Sequence, residues 1–219
     1  MFCILVGGMP ASGKSHLARR LSQSLGLPMF SKDDIKERLF DAVGFRGRAE
    51  KVALGVGAME ILYYAADQVM AAGGSVILEN NFERASLPGL RALLDRHPCR
   101  PVTLMLTGDP EVIYRRFLER DQSPQRHRGH VVNTAYPELP GERPPYTPVT
   151  LEQFVAGFTA RGMGDFDPGG PRVTVDVTDF SALDYQGLVE QVRALMGEDA
   201  PDFAPEKPEN LSNSKNLYS

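Results

Sequence analysis

The strongest constraint on this chain is the stretch Gly8-Met9-Pro10-Ala11-Ser12-Gly13-Lys14-Ser15, which follows the apolar run Phe2-Cys3-Ile4-Leu5-Val6. It fills every fixed position of the pattern G-x-x-x-x-G-K-S/T in its proper setting, a strand before and a helix after. Gly8 and Gly13 permit backbone angles that a side chain forbids, so the loop amides around Ala11 and Ser12 can converge on one anion. The N-terminus of the following helix adds partial positive charge at the same point. In such a loop Lys14 reaches the β and γ phosphates of a nucleoside triphosphate and the Ser15 hydroxyl holds Mg²⁺. The bland alternative is a glycine-rich turn with a chance Lys-Ser, and the full pattern in this setting leaves it little room.

A chain of 219 residues is long enough to bury one α/β core. We expect a single domain over residues 1–196 and a poorly ordered tail over 197–219, which carries Pro201, Pro205 and Pro208 and few apolar side chains. A net charge of −4 and a pI of about 5.6 argue against a nucleic-acid backbone as the main partner. Cys3 and Cys99 belong to no metal or redox spacing and read as reduced, packed thiols. No basic region precedes the first apolar run, and no stretch approaches the roughly 18 apolar residues that a membrane span needs. A cytoplasmic protein is expected.

Along the chain, strands are predicted over residues 2–6, 27–31, 75–78, 102–106 and 172–177. Between them Leu17, Ala18, Leu21 and Leu25 mark a first helix, and further helices are predicted from Asp33 to Phe40 and over 50–72, 87–96, 110–119, 150–160 and 184–196. This alternation implies a parallel sheet of about five strands with helices on both faces, and ligands at the strands' carboxyl ends. The Pro- and Arg-rich segment from Asp121 to Pro148 is too long for a plain connection and reads as a lid, with an acceptor-covering region extending to about residue 170.

Three groups of residues could act on a phosphate. Asp33 and Asp34 follow the second strand, where one of them could take the proton of a hydroxyl, with helix capping as the alternative. Arg115, Arg116, Arg120, Arg126 and Arg128, with His127 and His130 among them, cluster beside the lid, and Arg116 and Arg120 share a helical face. Glu79, at the end of the third strand, could orient Mg²⁺ through water or hold an acceptor, and Asn81 could touch an acceptor.

With these residues in place, the chain resembles the P-loop kinase group often labelled AAA-family ATPase, which takes in zeta-toxin-like kinases, chloramphenicol phosphotransferase and polynucleotide 5′-kinase. The resemblance runs through Gly8 to Ser15, Ser31 to Asp41, Val76 to Phe82, and Arg120 with Arg126 to His130. It implies a three-layer P-loop NTPase fold and an ATP- and Mg²⁺-dependent transfer of the γ-phosphate to a hydroxyl of a small molecule such as an antibiotic, sugar or nucleoside. By resemblance the base falls on Asp33, a nearby Lys36 or Arg38 holds acceptor or phosphate, Arg116 contacts nucleotide, and Arg120 with Arg126 or Arg128 clamps it. The place where a ring motor carries an acidic pair holds Glu79-Asn80, which favours a monomeric or homodimeric phosphotransferase. The rival readings are a polynucleotide 5′-hydroxyl kinase and an ATP-binding regulatory module or ATPase without acceptor transfer.

Overall fold

The computed structural model describes residues 1–138, 141 and 146–197, so the tail expected beyond Gly197 lies outside the described residues. Five strands alternate with eight α-helices among the described residues: β1 (Phe2–Gly8), α1 (Lys14–Leu25), β2 (Met29–Ser31), α2 (Lys32–Val43), α3 (Arg48–Ala71), β3 (Val76–Glu79), α4 (Leu87–Arg96), β4 (Arg100–Thr107), α5 (Pro110–Gln122), α6 (Arg128–Val131), α7 (Leu151–Ala160), β5 (Arg172–Asp176) and α8 (Tyr185–Met196). The strands form one sheet in the order β2-β3-β1-β4-β5, and every neighbouring pair is parallel. The predicted three-layer α/β architecture is the one observed.

Both faces of the sheet are covered, so the central strands are largely apolar and their period of two sorts side chains between two cores. Phe2, Ile4 and Val6 of β1 join Leu17, Leu21 and Leu25 of α1 and Val189 and Val192 of α8 on one face. Cys3 and Leu5 point the other way, to Leu62, Ala66 and Met70 of α3 and Leu90 and Leu93 of α4. Leu21 is completely buried, and truncating it to Ala would cost about 2–5 kcal/mol.

Helix starts follow local chemistry. The Asp109 carboxylate accepts from the amides of Glu111 and Val112 at 2.8 and 3.1 Å, ahead of Pro110 at a favoured first-turn position. Thr150 and Gln153 close a reciprocal capping box on α7. Strand β2 is shorter than predicted because Leu27 is spent closing α1: its amide donates to the Ser22 carbonyl at 3.2 Å and its carbonyl accepts from the Ser22 hydroxyl at 2.6 Å. Within the predicted lid, residues 128–131 form α6, which lies directly on Phe40 of α2. A Cβ at Gly129 would fall 2.3 Å from the Phe40 ring, so that close approach requires glycine. Among the described residues, no helix is long and apolar enough to cross a membrane.

Candidate active site

The carboxyl ends of β1, β2 and β3 meet at a cleft of about 710 Å³. Its floor is the loop between β1 and α1. Gly8 has φ 137°, and a Cβ there would sit 2.3 Å from the Leu106 carbonyl oxygen, so the loop starts where only glycine fits between two strands. Ala11 and Gly13 also take positive φ, 63° and 86°, which turns the loop into a concave nest of amides. The first amides of α1 have no intrahelical acceptor. The Ser12 hydroxyl is buried without a hydrogen-bond partner, and the Lys14 ammonium bends back to the Met9 carbonyl at 2.8 Å. Burial, against the pull of Glu79 and Asp33 and with a smaller push from Arg120 and Arg126, brings Lys14 down to about 8. A cradle with unspent donors, an unpartnered buried hydroxyl and a lysine ready to lose or keep its charge fits a polyphosphate.

The opposite wall is the start of α2. Ser31, not either aspartate, caps this helix: its hydroxyl accepts from the Asp34 amide at 3.3 Å and donates to Glu79 Oε2 at 2.6 Å. Asp34 turns outward to Arg19 at 3.5 Å. Asp33 therefore stays free to face the cleft, where it is open to solvent yet ringed by the cleft walls. The surrounding protein raises its pKa, but His130, Arg126, Lys32 and Lys14 together outweigh that and hold the carboxyl below the usual carboxylate range. Its carboxylate is ionised near neutral pH.

Glu79 is buried beside Ser31, and burial moves its pKa up against the opposing charge of Lys14 and the Ser31 hydrogen bond. Among the described residues no three acidic, histidine or cysteine side chains converge as a metal cage. Ser15 and Glu79 both line the cleft, so a Mg²⁺ held here would draw most of its oxygen ligands from phosphate and water, as this ion ordinarily does. The residues present fit that arrangement.

Of the predicted lid arginines, Arg116, Arg120 and Arg126 line the cleft. The Arg116 guanidinium donates to the Val177 and Thr178 carbonyls at 2.5 and 2.7 Å and lies 3.9 Å above the Phe180 ring. Arg120 and Arg126 share Asp121, whose Oδ1 lies 2.9 Å from Arg120 and 3.5 Å from Arg126. Arg126 Nε is the atom that faces Asp121, too far for a hydrogen bond, and the residue lines the cleft beside Asp33 and His130.

Two expected residues are not brought there. Arg128 pairs with Glu138 through two bonds of 2.8 and 2.7 Å and does not line the cleft, because α6 turns it away. Arg38 is exposed on α2, two residues and about 200° around the helix from Lys36, which does reach the cleft together with Asn81. Conversely, Lys32, Glu37, Arg161 and His130 line the cleft, the last held at 2.9 Å by Glu37. The interleaved histidines were a signal for His130, whereas Arg161 ends α7, far from any motif.

Comparison with known proteins agrees with this geometry. A family model described as an AAA domain matches residues 3–135. A shikimate kinase from Paracidovorax citrulli (strain AAC00-1) is 32% identical over 127 residues, a match that spans 53% of this chain and 61% of that protein. The solved structure of a "putative kinase" from Chloroflexus aurantiacus J-10-fl is 31% identical, covers 88% of this chain and 97% of its own, and superposes with a TM-score of 0.72. A sugar kinase from Janibacter sp. HTCC2649, at 18% identity, 91% and 95% coverage and a TM-score of 0.52, shares the fold. The fold is that of P-loop kinases.

Proposed function

Since the chain belongs to the AAA domain family, we propose that it is an ATP- and Mg²⁺-dependent phosphotransferase that moves the γ-phosphate of ATP to a hydroxyl group of a small molecule. One observation carries this reading: an amide cradle with Lys14 faces the ionised Asp33 across a cleft whose lid side supplies Arg120 and Arg126. The acceptor hydroxyl gives its proton to the Asp33 carboxylate while its oxygen bonds to the γ-phosphorus. The bond from that phosphorus to the β–γ bridging oxygen breaks, and ADP leaves with the electron pair. Lys14 and the loop amides bind the β and γ phosphates and hold them in line with the acceptor. Arg120 and Arg126 meet the charge that spreads over the transferring group. Mg²⁺, when bound with the nucleotide near Ser15, neutralises charge on the β and γ oxygens. Arg116, held above Phe180 at the cleft wall, contacts the nucleotide in this reading. Lys36 and Asn81 lie toward the acceptor, and the likeness to antibiotic phosphotransferases belongs to this same proposal.

The test is incubation of the full chain with γ-labelled ATP, Mg²⁺ and a panel of hydroxyl compounds, with Lys14→Ala alongside. Label transferred to an acceptor by the wild type and not by the variant is expected. Brisk ATP hydrolysis with label on no acceptor would favour an ATPase or a regulatory module instead.

A further inference from the structure

A second cavity, of about 390 Å³, opens from the first, and Lys32, Lys36, Asn81 and Arg161 line both. One wall is α3, where Val52, Val56, Met59 and Tyr63 recur at helical spacing and all line the cavity. Val52 and Val56 are 53% and 59% exposed, so this apolar stripe is uncovered at the end nearer Lys36. The floor is small at Gly55 and Gly89, where added Cβ atoms would crowd Lys36 and the Tyr63 ring.

The polar groups of this cavity are largely committed to one another. The Tyr63 hydroxyl donates to the Ser86 carbonyl at 2.7 Å, and the Ser86 hydroxyl accepts from the Glu83 amide at 3.3 Å. The Glu83 carboxylate pairs with Arg161 at 3.5 Å, and the Asn80 amide rests on the Met59 sulfur at 3.6 Å. Asn81 and the exposed Glu60 also line the cavity, so what α3 offers an occupant is an apolar strip of Val52, Val56 and Met59 bordered by Glu60, with positive charge concentrated at the junction with the cleft. Lys36 stands at that junction with its ammonium 5.3 Å from the Phe40 ring and no carboxylate in ion-pair contact among the described residues.

We infer that this trough is the acceptor subsite and that the acceptor is an alcohol carried on an apolar, ring-sized framework, its body against Val52, Val56 and Met59 and its hydroxyl at the Lys36 end facing Asp33. The inference rests on the phosphotransfer reading above and narrows its substrate class. A polyol body would set its hydroxyls against the apolar Val52, Val56 and Met59 side chains, which return no hydrogen bond for the water they displace. The cavity has the size of an ordinary small-molecule pocket and is continuous with the phosphate cleft through four shared residues, so body and hydroxyl can occupy both at once.

The experiment uses the full chain with methyl-labelled methionine and a non-hydrolysable ATP analogue, the Met59 signal being assigned with Met59→Leu. Phenylethanol and cyclohexylmethanol are titrated against glucose and myo-inositol, and transfer from ATP to each is followed in parallel by phosphorus NMR. The apolar alcohols are expected to shift the Met59 signal and to become phosphorylated, and Val56→Glu, at an exposed position, to raise the alcohol's KM by roughly tenfold or more while the KM for ATP stays put. A Met59 shift by the apolar alcohols with transfer to none of the compounds would show that the trough binds apolar bodies while refuting phosphotransfer, and with it the acceptor role. Transfer to glucose or inositol with Met59 unmoved supports phosphotransfer and overturns the trough. A Met59 signal that none of the alcohols moves, or that moves with protein concentration alone because a second copy covers α3, also overturns it.

Discussion

Lys51 fixes the segment that carries α6. Its ammonium, buried on α3, donates to the carbonyls of His130 and Val132 at 2.8 and 2.5 Å and to Asn133 Oδ1 at 3.1 Å, so one side chain caps the end of α6. That helix also places His130 against Glu37 at the cleft and His127 against Asp41 at 3.0 Å. Lys51→Met keeps the length and apolar stem and removes the donor. The Val132 bond is fully buried, and an orphaned acceptor there costs about 1–3 kcal/mol, while the two partly buried bonds that water can replace add a few tenths each. The net loss is about 2–3 kcal/mol, which for a chain of this size lowers the melting temperature by roughly 4–12 °C. Thermal unfolding followed by circular dichroism reads this directly, and limited proteolysis within residues 123–138 should accelerate in step. A variant that melts within about 1 °C of the wild type and resists proteolysis equally would refute the capping role.

Lys14, held down to about 8, binds phosphate in its charged form, which is lost as the pH rises through that value. ATP affinity measured by calorimetry should therefore weaken above about pH 8, by up to about tenfold per pH unit, and Lys14→Ala should be weak and pH-independent there. Arg126→Ala should lower kcat by roughly 10²-fold with the melting temperature little changed, as expected for a guanidinium that lines the cleft. Arg128→Ala should do the reverse, sparing kcat and lowering the melting temperature, because its bidentate partner is Glu138; steady-state kinetics beside thermal melts separates the two. Gly8→Ala should lose soluble expression or ATP binding, since its Cβ would meet the Leu106 carbonyl at 2.3 Å, and normal ATP affinity in a stable variant would contradict that geometry.

The sheet was legible because its central strands are buried on both faces: short, largely apolar runs such as Val102 to Leu106 admit little else at that length, and the phosphate loop anchors their order. Asp33 was legible from its place after β2, yet the choice between it and Asp34 needed the observation that Ser31 takes the capping role and that Asp34 turns to Arg19. Arg128 was misread because it lies in a segment whose periodicity says nothing about direction; only the seating of α6 on Phe40 shows that its side chain leads away from the nucleotide. Lys51 and Arg161 could not be found from spacing at all. Each sits on an ordinary helix and gains its role from a loop or strand distant in sequence. The same holds for the trough: Val52, Val56 and Met59 read as the face of a packed helix, and only the structure shows that no element of the described chain packs on Val52 and Val56.

The account stands or falls on Asp33→Asn, assayed with an acceptor that the wild type phosphorylates. The amide fills the same space but cannot take the proton, so ATP affinity should stay within about threefold of the wild type while the rate of phosphoryl transfer falls by roughly 10²- to 10⁴-fold. Transfer at the wild-type rate by a variant that binds ATP normally would show that the carboxylate facing the cradle is not the base.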